Sequence, residues 1–310
     1  MCEDESTVHV RFGNFDTSIY ESNAALASAA AEHASQVIER AVRSNGSARV
    51  VMATGNSQLG FVQALNQECA PWHLVTVFHM DEYIGLNADH PASFVRWIHD
   101  RVEVPLKPGC VHYLCGDVKD PEVECQRYEL LLREAPIDLV CMGIGENGHI
   151  AFNEPNAARF DDERWVRVIR LDDASRRQQV GEGHFAHPED VPPYAMSMTV
   201  PALLAARVAQ VVVPDKRKSK AVSSAVHDAI GNACPATALR IHPHVRLFLD
   251  RESAFELLQE EGGDGADSLT LSRPRRPTCA DEQPGADQGN RERATRETRG
   301  SQVNREGGSS

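Results

Sequence analysis

Short apolar runs alternate with helix-periodic segments along most of this chain. Each apolar run has the length and composition of a strand that is buried on both faces of a parallel sheet. The predicted strands are residues 48–53, 74–79, 137–142, 209–213 and 245–249. The predicted helices lie at residues 23–43, from 57 to about 69, 121–134 and 217–230, with Asn23 as the cap of the first. This alternation predicts an α/β fold: an open, mostly parallel, doubly wound (Rossmann-like) sheet with helices on both faces.

The composition changes sharply near residue 260. Beyond it the chain is rich in Arg, Glu, Gly, Gln and Pro, and its only sizeable aliphatic residues are Leu269, Leu271 and Val303. Such a segment buries too little apolar surface to offset the entropy lost on ordering. We therefore predict one domain, residues 1–258, followed by a disordered tail, residues 259–310.

The net charge of the chain limits the classes of partner that it is expected to bind. It has 310 residues and a net charge of −13 at pH 7, which argues against binding to nucleic acid or to an anionic membrane. The acidic start is not followed by an apolar stretch, and no run approaches the roughly 18 apolar residues of a membrane span. We expect a soluble, cytoplasmic protein.

The strongest chemical signal follows the predicted strand 137–142. Three glycines, Gly143, Gly145 and Gly148, come first, and His149 and Glu154 come next. Glycines let backbone N–H groups approach a ligand closely, and a histidine with a nearby carboxylate can transfer protons near neutral pH. Because ligands bind at the carboxyl ends of strands in open α/β sheets, this loop is a candidate active site.

Two other interpretations fit the same loop. The spacing Gly-x-Gly-x-x-Gly also matches the dinucleotide-binding fingerprint, with Asp172 at roughly the expected distance. That motif needs a helix after the third glycine, whereas Pro155 follows closely and the helical period is missing. A glycine turn with a purely structural histidine is the remaining alternative.

Two further loops provide candidate phosphate ligands. Thr54, Gly55, Asn56 and Ser57 stand at a predicted helix start, where free N–H groups favour an anion, although capped helix starts of this kind are common. The basic segment at residues 216–220 is either a solvated helix end or the counter-charge for a phosphate.

Asp81 and Glu82 are adjacent carboxylates that emerge from an apolar strand. Partial burial and like charge both raise a carboxylate pKa, which makes it usable as a base at neutral pH. A helix cap or a surface pair is the bland alternative.

Together these blocks resemble the glucosamine-6-phosphate deaminase/isomerase family. The matching blocks are residues 53–57, 78–86 and 143–155, the helix that carries Lys218, and residues 234–243. The resemblance implies an aldose–ketose isomerisation coupled to amine loss, on an amino-sugar phosphate. In it His149, oriented by Glu154 and held by Asn147, opens the sugar ring, and Asp81 moves a proton between C2 and C1. It implies that residues 54–57 and Lys218 bind the phosphate, needs no metal or organic cofactor, and allows a homo-oligomer.

Two alternatives and one departure accompany this resemblance. The 6-phosphogluconolactonases share the glycine loop but differ at positions 83 and 150–155, and a non-catalytic sugar-phosphate sensor would lose the proton-transfer residues. The family usually supplies an arginine to the phosphate from the region that corresponds here to residues 175–185, which has none in register. Arg176, Arg177 and His184 are the candidates to replace it.

Overall fold

An eight-stranded sheet forms the centre of the computed structural model, which describes residues 7–155 and 157–263. Its order is β1-β2-β11-β10-β7-β3-β4-β6. The hairpin of β1 and β2 is antiparallel, and every other neighbouring pair is parallel. The strands are β1 Val8–Phe12, β2 Phe15–Tyr20, β3 Ala48–Met52, β4 Val75–His79, β6 Cys110–His112, β7 Leu139–Met142, β10 Val208–Val213 and β11 Val245–Asp250. The predicted open, mostly parallel sheet is confirmed.

Helices cover both faces of this sheet, as predicted for a doubly wound fold. They are α1 Asn23–Asn45, α2 Leu59–Leu65, α3 Phe94–Ile98, α4 Val104–Leu106, α5 Pro121–Arg133, α6 Asp173–Gly181, α7 Val200–Leu204, α8 Ser219–His227 and α9 Phe255–Gly263. Successive strand residues enter opposite cores, because side chains alternate along a strand. In β3, Val50 and Met52 pack under α1 and α2, while Val51 joins the core on the other face.

Several predicted boundaries were wrong by a few residues. Ser22, not Asn23, caps α1: its Oγ accepts a hydrogen bond from the Ala25 N–H at 3.2 Å. The helix predicted at 57–69 is a 3₁₀ turn, Asn56–Gln58, followed by the short α2. The helix predicted at 217–230 is likewise a 3₁₀ turn, Lys216–Lys218, followed by α8. The predicted tail begins within α9, and residues 264–310 lie outside the described residues.

A second, three-stranded antiparallel sheet stands apart from the main one and was not predicted. It consists of β5 Asp81–Tyr83, β8 Val166–Arg170 and β9 Tyr194–Met198, in the order β5-β9-β8. Its strands are short, and β5 follows β4 after a single residue, so the sequence pattern merges the two. This small sheet determines where Asp81 lies.

None of the helices in the described part of the chain is long and apolar enough to cross a membrane.

Candidate active site

One pocket at the carboxyl ends of the parallel strands brings the predicted loops together. Six predicted site residues line it: Thr54, Gly55, Ser57, Asp81, His149 and Lys218. Asn147 and Glu154 lie behind His149, and Asn56 points away from the pocket towards α6. Several lining side chains were not predicted, among them Gln58, Phe94, Phe152, Gln178, Gln179 and Glu182.

The two adjacent carboxylates have different surroundings. Glu82 accepts hydrogen bonds from the Tyr83 N–H at 2.8 Å, the Ser93 hydroxyl at 2.7 Å and the Val95 N–H at 2.9 Å. It therefore holds the start of α3, which is the structural alternative weighed for this pair. Asp81 lines the pocket and is 7% exposed. Because side chains alternate along β5, only one of the two can face the substrate.

Burial, and next the charge of Glu82, raise the pKa of Asp81 to about 8. The direction agrees with the expectation from the sequence. The carboxyl is therefore protonated in most molecules at pH 7 when the pocket holds no substrate. An ammonium group nearby would stabilise the carboxylate and lower this pKa, so a cationic amino sugar favours the form that can act as a base.

The backbone of Asp81 is held from two sides. The Asp81 carbonyl accepts a hydrogen bond from His79 Nδ1 at 2.9 Å, and His79 Nε2 accepts one from the Leu114 N–H at 2.9 Å. Burial lowers the pKa of His79 to about 4, so this ring is neutral and has a structural role. On the other side β5 pairs with β9, and Ser197 Oγ of β9 accepts from the Phe152 N–H at 3.0 Å. The small sheet thus joins Asp81 to the histidine loop.

The glycine loop forms a turn, and no helix follows Gly148. The dinucleotide-binding interpretation is therefore excluded, as the sequence predicted. A Cβ at Gly145 would lie 2.3 Å from His149 Nε2, because the imidazole packs directly on the Gly145 backbone. Gly148 has a φ of +84°, and a Cβ there would lie 2.6 Å from Cys234 Sγ. At these two positions glycine makes room for His149 and for the segment after α8.

A short hydrogen-bonded chain supports His149 from behind. Asn147 Oδ1 accepts from the His149 backbone N–H at 3.1 Å, and Asn147 Nδ2 donates to Glu154 Oε2 at 3.0 Å. The Ser175 hydroxyl donates to Glu154 Oε1. Glu154 Oε2 lies 3.7 Å from His149 Nδ1, which is too far for a hydrogen bond. Asn147 therefore fixes the loop and the carboxylate, while contact between ring and carboxylate needs a small further approach.

Burial sets the charge states of this pair. A carboxylate beside a histidine ordinarily favours the charged imidazole. Instead, burial and then the charge of Lys218 lower the pKa of His149 to about 4. Burial raises the pKa of Glu154 to about 7, against hydrogen bonds from Ser175 and Asn147. His149 is thus a neutral ring, with one nitrogen that can accept a proton and one that can donate.

The loop 54–57 forms one wall of the pocket. Gly55 has a φ of +97°, which favours glycine, and the chain then enters the 3₁₀ turn. Asn56, predicted to bind phosphate, is exposed, and its Nδ2 donates to the Glu182 carbonyl at 2.9 Å. Gln58 is buried and donates to the Val212 carbonyl at 3.2 Å. Asn56 therefore fastens this loop to the end of α6.

Lys218 is a buried cation that also lines the pocket, with 5% of its surface exposed. Burial lowers its pKa, and the charges of Glu182 and Glu146 oppose that shift. Among the side chains that the structure describes, none forms an ion pair with it within 4.0 Å. Neighbouring Lys216 lies over the Phe255 ring at 4.4 Å, away from the pocket. Of the predicted basic segment, Lys218 is the residue that faces a ligand.

The segment at residues 175–185 also lines the pocket. It supplies a carboxylate where the family resemblance implies an arginine. Glu182 lines the pocket beside Gln178 and Gln179. Arg176 instead donates to the Pro188 carbonyl at 2.6 Å, and Arg177 lines a neighbouring cleft with Arg217. His184 Nε2 lies 3.5 Å from Glu182 Oε2. Neither arginine that the sequence suggested as a phosphate ligand is therefore in the pocket.

This chain is similar to known proteins in its sequence and in its fold. The family described as "Glucosamine-6-phosphate isomerases/6-phosphogluconolactonase" matches residues 21–248. A glucosamine-6-phosphate deaminase from Exiguobacterium sp. is 38% identical over 220 residues, which cover 69% of this chain and 84% of that protein. Another, from Bacillus cytotoxicus, is 33% identical over 223 residues, covering 72% and 83% of the two chains.

Solved structures give the same result. A monomeric glucosamine-6-phosphate deaminase superposes with a TM-score of 0.71 at 28% identity, over 77% of this chain and 98% of that one. A 6-phosphogluconolactonase from Shewanella baltica superposes with a TM-score of 0.63 at 18% identity, over 78% and 98%, and so shares the fold. From its sequence and its architecture, this chain belongs to the family of glucosamine-6-phosphate isomerases and 6-phosphogluconolactonases.

Proposed function

We propose that this protein converts glucosamine 6-phosphate and water to fructose 6-phosphate and ammonia, by isomerisation and deamination. One observation carries the proposal: Asp81, His149 and the unpaired buried cation of Lys218 all line a single pocket. The reaction needs a base that removes a proton from C2, a group that transfers a proton when the sugar ring opens, and a cation that binds the phosphate. Deaminase relatives up to 38% identical support the same activity.

Ring opening is assigned to His149. The step moves one proton from the C1 hydroxyl to the ring oxygen, which breaks the bond from C1 to that oxygen and leaves an open-chain aldehyde. A neutral imidazole can accept the first proton and return it, whereas an imidazolium has no lone pair to accept one. Glu154, with its pKa raised to about 7, stabilises the transient imidazolium from behind.

Isomerisation is assigned to Asp81. Its carboxylate removes the proton from C2 while the substrate ammonium gives one proton to O1, which leaves a neutral enolamine. The resulting carboxylic acid returns the proton to C1, which gives the protonated 2-imine of fructose 6-phosphate. Water then adds to C2, and the nitrogen leaves as ammonium, so that atoms and charge balance. A buried carboxylate with a raised pKa is a stronger base than one in water.

The phosphate is assigned to Lys218 and to the backbone of residues 54–57. Because α2 is short and starts with a 3₁₀ turn, a helix dipole contributes less here than the sequence suggested. Lys218 supplies the charge, and Thr54, Gly55 and Ser57 supply backbone and hydroxyl hydrogen bonds.

The direct test is ammonia release from glucosamine 6-phosphate in the presence of EDTA. We expect ammonia and fructose 6-phosphate in equal amounts. Hydrolysis of 6-phosphogluconolactone without ammonia release would move the chain to the lactonase branch of its family. Binding of the sugar phosphate without turnover of either substrate would identify a sensor. The cytoplasmic location and a homo-oligomeric state stay predictions.

A further inference from the structure

Glu182 is a carboxylate built into the wall of the pocket. It follows α6 directly and its side chain is 12% exposed. Gln178 Nε2 donates to its Oε1 at 2.8 Å, and His184 Nε2 lies 3.5 Å from its Oε2. Its carbonyl accepts from Asn56 Nδ2, which ties it to the loop 54–57. The side chain is therefore held in place, and it faces the same space as Lys218.

A hydrogen bond and a shared pocket locate Glu182 near the residues assigned to the phosphate. Its carbonyl accepts from Asn56 of the loop 54–57, and its side chain lines the same pocket as Lys218. Consistent with this position, its charge raises the pKa of Lys218 against the effect of burial. Glu182 therefore lies close to the loop 54–57 and to Lys218. Under the proposed function, that is where the phosphate binds.

A fixed carboxylate and a phosphate dianion repel each other in a partly buried site. A singly protonated phosphate has a P–O–H group instead, which can donate to a carboxylate, and a carboxylate is a strong acceptor and no donor. Lys218, the one cationic side chain among the described residues that line the pocket, then faces one ligand charge and not two. We propose that Glu182 selects the monoanionic form of the substrate phosphate by accepting a hydrogen bond from its P–O–H group.

This inference rests on the proposed phosphate site and adds a specificity-determining residue to it. A phosphate monoester has a second pKa of about 6, so above pH 6 the dianion prevails in solution. Burial raises the pKa of Glu182, but His184, Gln178 and Lys218 lower it by more, and the net result is a lowered pKa. Glu182 is therefore ionised throughout the range in which the phosphate loses its second proton.

Other charged and titratable groups face Glu182, and an experiment must distinguish their effects on ligand binding from the effect of Glu182. They are His184 on its own segment, Lys218 and Arg217 on the 3₁₀ turn, His149 on the glycine loop and Tyr83 on β5. Asp81 and Glu154, with pKa values of about 8 and 7, also titrate near neutral pH. All of them are shared by the wild type and a Glu182→Gln variant, so the difference between the two proteins isolates Glu182.

The test is calorimetric binding of two unreactive ligands, a hexitol 6-phosphate and the matching 6-sulfate, at pH 6, 7 and 8. The sulfate ester carries one charge and no proton. Relative to Glu182→Gln, we expect wild-type affinity for the phosphate ester to fall about tenfold per pH unit above pH 6, with uptake of about one proton. We expect the wild type to bind the sulfate ester at least about tenfold more weakly than the variant does. Glu189→Gln, the same change at an exposed position of the same segment, should behave as wild type.

Equal pH slopes for wild type and Glu182→Gln would overturn the proposal, and so would equal affinity of the wild type for the two esters at pH 6. If neither ester binds, the phosphate site and this inference both fail. If the esters bind with the expected slope but no ammonia is released from glucosamine 6-phosphate, the proposed reaction fails while the role of Glu182 stands.

Discussion

The two ends of the pocket differ in the charge of their side chains: one end is neutral at pH 7, and the other is charged. At the Asp81 end, burial without a cationic partner raises the pKa of Asp81 to about 8, and burial with Lys218 lowers that of His149 to about 4, so both groups are neutral at pH 7. At the Lys218 end, a cation and the carboxylate of Glu182 each carry charge in the free pocket. Attraction between the two opposite charges offsets part of the lost hydration at the second end, whereas burial outweighs every favourable charge at Asp81 and His149.

This difference suits the two tasks. Proton transfer needs groups whose pKa values lie near the working pH, and phosphate binding needs a charge that persists at every pH of interest. The predictions below alter one end at a time.

Asp81→Asn should have the largest effect. Removing a positioned base typically costs about 10²–10⁴ in rate, or about 3–5 kcal/mol of barrier. We expect kcat to fall by that factor with little change in KM, as measured by ammonia release. Asp117→Asn, the same substitution at an exposed turn, should be as active as wild type. An Asp81→Asn protein with most of its activity left would show that another group is the base.

Gly145→Ala should disturb the same end by displacing His149. The new methyl group would lie 2.3 Å from the imidazole, so the ring has to move by about 1 Å, a displacement that can cost about a hundredfold in rate. We expect kcat to fall while the protein remains folded. Gly181→Ala is the matched control, because nothing lies within 4 Å of a Cβ there. Equal activity of the two variants would mean that the ring position is not critical.

Lys218→Ala should act on the other end and mainly on KM. A charge-assisted contact contributes about 1.5–3 kcal/mol, so we expect KM to rise about tenfold to a hundredfold, with a smaller change in kcat. Inorganic phosphate should inhibit the wild type competitively and the variant much less. Lys216→Ala, which removes a lysine that packs on Phe255, should leave KM unchanged. If Lys218→Ala equals wild type in both respects, the phosphate is bound elsewhere.

The sequence predicts the main sheet well because its strands are buried on both faces and stand out as apolar runs. It also predicts Asp81, His149, Glu154 and Lys218, since each lies in a block with distinctive chemistry. It does not predict β5 as a separate strand, because three residues after β4 carry no period of their own. The alternation along β5, which turns Asp81 to the pocket and Glu82 to α3, was therefore hidden.

The charge states of the site residues, and the part of the pocket formed by residues 178–182, were harder to predict. The neutral form of His149 depends on its burial and on Lys218, which is distant in sequence. The sequence did not indicate Glu182, because the family resemblance implies an arginine, and not a carboxylate, from residues 175–185. The hydrogen bond between Asn56 and Glu182, which joins residues 126 positions apart, has no local sequence signal.

Burial keeps Asp81 protonated at neutral pH in the free pocket. A carboxyl whose folded pKa is about 8 stabilises the protein below its unfolded pKa of about 3.9, and this contribution is lost as the pH rises through 8. The amide introduced by Asp81→Asn does not titrate, so the measurement is the unfolding free energy of that variant minus that of wild type, from urea unfolding at pH 4 to 9. We predict that this difference grows by about 1.4 kcal/mol per pH unit from about pH 4 to about pH 8 and is constant above. A difference that stays flat between pH 4 and 8 would contradict the claim, because Asp81 would then ionise as it does in water.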